Sequence, residues 1–170
     1  MLKATGSRKN LAEHPFYICI SDIIENDEIL RLNKYTHHFF TTRFQHCLNV
    51  SYYNYLICRF FRLDAFAAAR AGMMHDMYYY GHCDYHKLSA DNPHCRNHPR
   101  VAVKNAKKQF YISHLEKDMI EKHMWPFNIM RLPKYRESYV IVVVDKYCAV
   151  LEVIAPKLRQ LRNIMKNDVQ

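Results

Sequence analysis

Asp64-Ala65-Phe66-Ala67-Ala68-Ala69-Arg70-Ala71-Gly72-Met73-Met74-His75-Asp76 is the stretch on which the reading of this chain turns. Alanine is the strongest helix former, and five alanines in seven positions after an aspartate able to cap predict a helix from Ala65 to about Tyr78. Gly72 interrupts that run at a cost of about 1 kcal/mol against alanine, so a packing reason is expected: a close helix neighbour. The run carries an adjacent histidine and aspartate, His75-Asp76, near its end.

Outward from the doublet stand single histidines and a further aspartate. In order the set is His46, His75, Asp76, His98, His123 and Asp145, with gaps of 29, 1, 22, 25 and 22 residues. Imidazole nitrogen and carboxylate oxygen are the usual ligands of catalytic zinc, iron, manganese or nickel. A carboxylate next to a histidine can bridge two ions held by single histidines on either side. Six ligands on several elements suffice for two ions and leave positions open for water and substrate, an arrangement suited to phosphoester hydrolysis.

This ordered set resembles the HD-domain superfamily of metal-dependent phosphohydrolases. The matching pieces are His46 in Arg43-Phe44-Gln45-His46, the doublet in Ala71-Gly72-Met73-Met74-His75-Asp76, His98-Pro99, His123 in Ile120-Glu121-Lys122-His123, and Asp145 in Val143-Val144-Asp145-Lys146-Tyr147. The likeness spans roughly residues 35–152. A bare His-Asp pair is a weak signal; six residues in order are a stronger one, and they look most like the two-metal branch. The resemblance implies an all-α helical bundle, two divalent ions per chain (Fe, Mn, Ni, Co or Zn), and hydrolysis of a nucleotide, dinucleotide or other small phosphoester by a metal-activated water, with Asp76 bridging the ions and orienting the nucleophile. Many relatives carry a lysine three residues after the doublet's aspartate. Tyr79 stands there in this chain, so another cation has to meet the phosphate: Lys87, Arg96, Arg100, Lys104, Arg131, Lys134 and Lys146 are candidates. Tyr79 itself and His94, four residues before His98, are candidate substrate contacts. The same six-ligand layout serves diiron oxygenases related to inositol oxygenase, a different chemistry. A third reading is a non-catalytic module binding a nucleotide or nucleic acid, although no nucleic-acid-binding motif is present.

The remaining chain reads as helices joined by two loops. Residues 1–14 lack periodicity and are expected to form a loose lead-in to one domain over 15–170. Asp22 can cap a helix to about Tyr35, and Thr41 or Thr42 a second that carries His46 in its first turns. Residues 79–97 read as a loop, in which His82, Cys83, His86, His94 and Cys95 cluster without the spacing of a zinc finger. Pro99 suits the first turn of a helix to Phe110 or Tyr111, and Ser113 with Glu116 forms a capping box for a helix to Met124. Residues 126–136 form the second loop. The run Tyr139-Val140-Ile141-Val142-Val143-Val144 has strand propensity, but the resemblance implies a buried helix continuing to Ile154. A last amphipathic helix is expected from Pro156.

Composition agrees with a helical, folded chain. Only 3 of 170 residues are glycine, fewer than sheet turns need, and 49% are apolar, which opposes disorder. A charge of +9 favours anionic partners such as phosphorylated small molecules. No apolar run approaches a membrane span. Six cysteines without a Cys-x-x-Cys pair read as free thiols, and together these features suggest a cytoplasmic protein.

Overall fold

The computed structural model describes residues 1–37, 41–81 and 94–167. The expectation of an all-α chain is met. Its helices are α1 (Phe16–Ile24), α2 (Asp27–Leu30), α3 (Arg43–Phe60), α4 (Ala65–Met74), α5 (His94–Gln109), α6 (His114–Lys122) and α7 (Arg136–Asn167), with 3-10 turns at Leu11–Glu13 and Arg31–Lys34. Between α2 and α3 lies a small antiparallel ribbon, β1 (Thr36–His37) and β2 (Thr41–Thr42), paired Thr36 with Thr42 and His37 with Thr41. Among the described residues no helix is long and apolar enough to cross a membrane. Cys19, Cys47, Cys58 and Cys148 are buried free thiols.

The centre of the bundle is the pair α3 and α4. Thr42 and Asp64 cap them as expected, accepting from the Gln45 and Ala67 amides. Arg62, with φ 56°, closes α3: its amide reaches the Arg59 carbonyl (3.3 Å) and the Leu63 amide reaches Cys58 (2.8 Å), which turns the chain straight back into α4. The two helices meet at Gly72. A Cβ there would lie 2.5 Å from the Ser51 Cα and 2.7 Å from its nitrogen, so only glycine permits this approach. Ser51 Oγ donates to the Ala69 carbonyl (2.6 Å) and Asn54 Nδ2 to that of Ala68 (3.4 Å), filling the seam with hydrogen bonds.

Around this pair, α1 and α6 pack on α4, α7 packs on α3 and α6, and α5 packs on α6. Ile20, Ile23, Leu48, Met73, Met119, Ile120, Ile141 and Val144 form the core between them. The strand-like run 139–144 is helical, as the resemblance implied: its burial in a helical bundle overrides its propensity. Arg70 ties three helices together, donating to Glu116 Oε1 (2.9 Å) and to both oxygens of Asp22 (2.6 and 2.8 Å).

Several boundaries differ from the sequence reading. Asp22 lies inside α1 rather than capping a helix, because it serves Arg70; Asn26 caps α2, accepting from the Glu28 amide. The helix bearing the doublet stops at Met74, with His75 as its C-cap. Pro99 and Pro156 lie within α5 and α7, not at helix starts: each forfeits one backbone hydrogen bond, yet the helix continues through it. Residues 1–14 are not loose. Ala4 and Leu11 are buried, and the Thr5 amide donates to Asn49 Oδ1 (2.8 Å). Most of the expected 79–97 loop, with His82, Cys83, His86 and Lys87, lies outside the described residues, as do the side chains of His94, Cys95 and Arg96.

Asp118 fastens the start of α7. Its Oδ2 accepts from Ser138 Oγ (2.8 Å) and the Lys134 amide (2.9 Å), and its Oδ1 meets Lys122 Nζ (2.5 Å). Burial works against its charge, but the bonds from Lys122, Lys134 and Ser138 outweigh it and hold the carboxyl below its ordinary range. A depressed pKa contributes stability above the unfolded value, lost as pH falls through the folded one. Asp118→Ala should therefore cost about 2 kcal/mol at neutral pH. The gap from wild type should narrow as pH falls below about 4, where the unfolded carboxyl protonates. Urea unfolding of both proteins at pH 7 and pH 3 checks this; an equal gap at both values would rule the carboxylate out as the cause.

Candidate metal centre

Six residues predicted as ligands come from five separate places in the fold and meet at one buried cluster. His46 lies in the first turn of α3, held there by the Thr42 cap. His75 caps the C-terminus of α4 and Asp76 follows it; His98 lies on α5, His123 caps the C-terminus of α6, and Asp145 lies on α7. His46 Nε2 is 3.0 Å from Asp145 Oδ1, and His75 Nε2 is 3.6 Å from the same oxygen. Asp76 Oδ2 is 3.9 Å from His75 Nε2, while its Oδ1 is 3.4 Å from His98 Nε2 and 3.7 Å from His123 Nε2. The two nitrogens of His98 and His123 are 2.9 Å apart. For bonds of about 2.1 Å, two donors on one ion stand about 3.0 Å apart at a right angle and about 3.4 Å apart at a tetrahedral angle. The separations of 2.9, 3.0 and 3.4 Å match that range, and those of 3.6, 3.7 and 3.9 Å are wider.

Local structure aims these donors. His75 and His123 each sit just past a helix end and donate from Nδ1 to the carbonyl three residues back, Gly72 and Ile120, both at 2.8 Å. A carbonyl only accepts, so Nδ1 carries a proton and Nε2 is the nitrogen that faces the cluster. His46 is oriented by a carboxylate the sequence reading missed. Glu152 Oε1 and Oε2 lie 3.1 and 3.2 Å from its Nδ1, and Asn49 Nδ2 in turn donates to Glu152 Oε1 (2.7 Å). The only signal for Glu152 was its place two turns after Asp145, on the same face of α7.

Two further residues escaped the sequence reading. His37, on the ribbon, stacks 4.1 Å from the His46 ring and offers a nitrogen near His46 and Asp76. Arg43 is buried at the start of α3. It donates to the Tyr78 and Tyr80 carbonyls (2.6 and 3.2 Å) and covers the Tyr78 ring at 3.6 Å, so it fixes the segment just after the doublet.

The predicted substrate contacts are scattered. Lys146 belongs to the cluster: its Nζ donates to the His123 carbonyl (3.1 Å) and stands 3.6 Å from Asp145 Oδ2. Arg100 and Arg131 line a cleft of about 300 Å³ with Asn97 and Phe127, and Arg131 pairs with Glu121 at 3.2 Å. Lys134 has an exposed side chain. Tyr79 packs against Arg31 and Tyr35.

No protein-family model, curated protein or solved structure matches this chain. What the cluster can do is therefore read from its own chemistry. His75 Nε2 and Asp76 Oδ1 are buried without a hydrogen-bond partner. An unsatisfied buried polar atom costs about 1–3 kcal/mol, and two of them at the middle of a ligand set fit a cation as the missing partner. Burial opposes charge on Asp76 and Asp145, but the surrounding histidines hold both carboxyls well below their ordinary range. Burial opposes charge on His46 too, yet Asp145 and Glu152 raise it to about 10. His123 is pushed down to about 3 by burial and by His75 and His98. The groups His46, His75, Asp145 and His75, Asp76, His123 could each hold a metal ion.

Proposed function

We propose that the chain is a metal-dependent phosphohydrolase of the HD-domain type, acting on a nucleotide, dinucleotide or other small phosphoester with two divalent ions per chain. One observation carries the reading: the two oxygens of Asp76 face different ligands, Oδ2 toward His75 and Oδ1 toward His98 and His123. A shared carboxylate of this kind fits a pair of adjacent ions, with His46, His75 and Asp145 holding one and His98 and His123 the other. Divalent ions bound there would polarise a phosphoryl oxygen and lower the pKa of water, the chemistry that phosphoester hydrolysis needs.

The chain's own residues supply orientation and charge. The carbonyls of Gly72 and Ile120, and the carboxylate of Glu152, fix which nitrogen of each ring points inward. Arg43 holds the Asp76–Tyr80 turn so that the carboxylate keeps its place. Lys146, about a third exposed beside Asp145, is the cation placed to meet a phosphate oxygen, and takes the role left open by Tyr79.

The decisive experiment is metal analysis of freshly purified protein, followed by a panel of phosphoesters with that metal restored. Hydrolysis that depends on the metal supports the reading. Protein that takes up no divalent metal sinks it, and oxygen consumption by an iron-loaded form would move it to oxygenase chemistry. Lys146→Ala should raise KM about tenfold, equivalent to about 1.4 kcal/mol of lost phosphate attraction, while metal content stays unchanged. Steady-state kinetics on the substrate found by the panel reads this directly; an unchanged KM would remove Lys146 from substrate binding.

A further inference from the structure

Helix α7 carries an apolar stripe on the side away from the core. Tyr139, Val143, Tyr147, Val150, Ile154 and Leu158 are 40, 65, 51, 57, 45 and 60% exposed, whereas Ile141, Val144, Cys148 and Glu152 on the other side are buried. Steps of four, four, three, four and four residues keep the six on one face. At 1.5 Å per residue the stripe is about 28 Å long. Its side chains leave on the order of 500 Å² of apolar surface uncovered, as much as the largest patch of a typical monomer. Tyr147 is held edge-on to Tyr53 (5.4 Å) and Tyr139 edge-on to Trp125 (5.9 Å), so the two exposed rings already have packed partners that orient them.

We infer that this face seats a second copy of the chain, α7 packing antiparallel on its twin about a two-fold axis that passes between Cys148 and Ala149. The spacing itself argues for a twin rather than an unrelated partner. An isologous contact requires that residue i meet j while j meets i. Read about that axis, Tyr139 falls opposite Leu158, Val143 opposite Ile154, and Tyr147 opposite Val150, so every exposed apolar residue has an apolar counterpart. Charges do not oppose the pairing: Lys146 falls opposite Leu151, Lys157 opposite Val140, and Glu137 opposite Gln160. The stripe, on the order of 500 Å², comes close to the roughly 600 Å² per partner at the low end of specific interfaces. Asp145 and Glu152 turn the other way on the same helix, so the pairing is independent of the metal reading.

Sedimentation equilibrium of the 170-residue chain at micromolar concentration tests the inference. The expected mass is that of two chains; a monomer overturns it. Val143→Glu and Val150→Lys place a charge on the stripe at exposed positions, where the single chain tolerates one, and each should give a monomer with an unchanged helical circular dichroism spectrum. Should Val143→Glu fail to fold, Val143→Ser replaces it. A dimer that survives the substitutions at both positions overturns the proposed face. Direction is read by oxidation: a mixture of Tyr139→Cys and Leu158→Cys chains should cross-link to one another, well above either variant alone. Cross-linking of each variant to itself, with no mixed product in the mixture, would mean a parallel pair, and would overturn the two-fold arrangement.

Discussion

Asp76→Ala should abolish most of the proposed metal binding and lower the proposed phosphoesterase activity by at least about a thousandfold, which corresponds to about 4 kcal/mol of transition-state stabilisation. The carboxylate reaches both halves of the cluster, within 3.9 Å of His75 in one and within 3.4 Å of His98 and 3.7 Å of His123 in the other. Removing it takes away one of the two carboxylates in the ligand set, so positive charge there loses compensation. The fold should survive. Asp76 follows the end of α4, and the seam between α3 and α4 is built from Gly72, Ser51 and Asn54, not from the carboxylate. Elemental analysis, turnover and circular dichroism of wild type and variant together decide the matter. A folded variant with near-normal turnover would show that the reaction does not run through this cluster, and would favour the binding-module reading instead.

Gly72→Ala should destabilise the protein by about 3 kcal/mol or more, against the ordinary rule that alanine improves a helix. For a chain of this length that is a fall in Tm of roughly 6–12 °C. The added methyl would sit 2.5 Å from the Ser51 Cα and 3.1 Å from the Val50 carbonyl carbon. These are backbone atoms, so no rotamer change relieves the clash, and α3 and α4 must separate. Separation pulls on the Ser51–Ala69 bond and carries the Gly72 carbonyl, which orients His75, out of register with His46. Metal content should drop alongside stability. Thermal unfolding is the measurement, and a variant more stable than wild type would mean that the helices do not approach as closely as described.

The parts of this molecule that were legible in the sequence are those where local chemistry and global packing agree. Thr42, Asp64 and the Ser113–Glu116 box mark real helix starts because a side-chain oxygen meets an amide two or three residues on, whatever the rest of the chain does. Gly72 was legible as a contact because nothing local explains a glycine in an alanine run. The six ordered histidines and aspartates were legible as a set, and they converge. What could not be read belongs to long-range pairing. Asp22 looks like a cap until Arg70, 48 residues later, is seen to claim it. Glu152 looks like an ordinary acid on an amphipathic helix until the fold brings it to His46, 106 residues away. Pro99 and Pro156 read as helix starts because proline favours the first turn, but packing carried both helices across them. The ribbon that presents His37 is two residues to a strand, too short for any alternation to show.

The positions of His75 and His123, each at the last turn of a helix, have an electrostatic consequence. A helix terminates in unpaired carbonyls that amount to roughly half a negative charge. Two such ends, α4 and α6, meet at the cluster that also contains Asp76, Asp145 and, behind His46, Glu152. The chain outside carries an excess of positive charge, +9 in all. Opposite polarities thus act at two ranges: the net charge of the chain favours anions at a distance, while the two helix ends and the carboxylates of the cluster favour cations close by. On the proposed reading, a phosphate would approach the cluster favourably only after cations had reversed the sign of the field there.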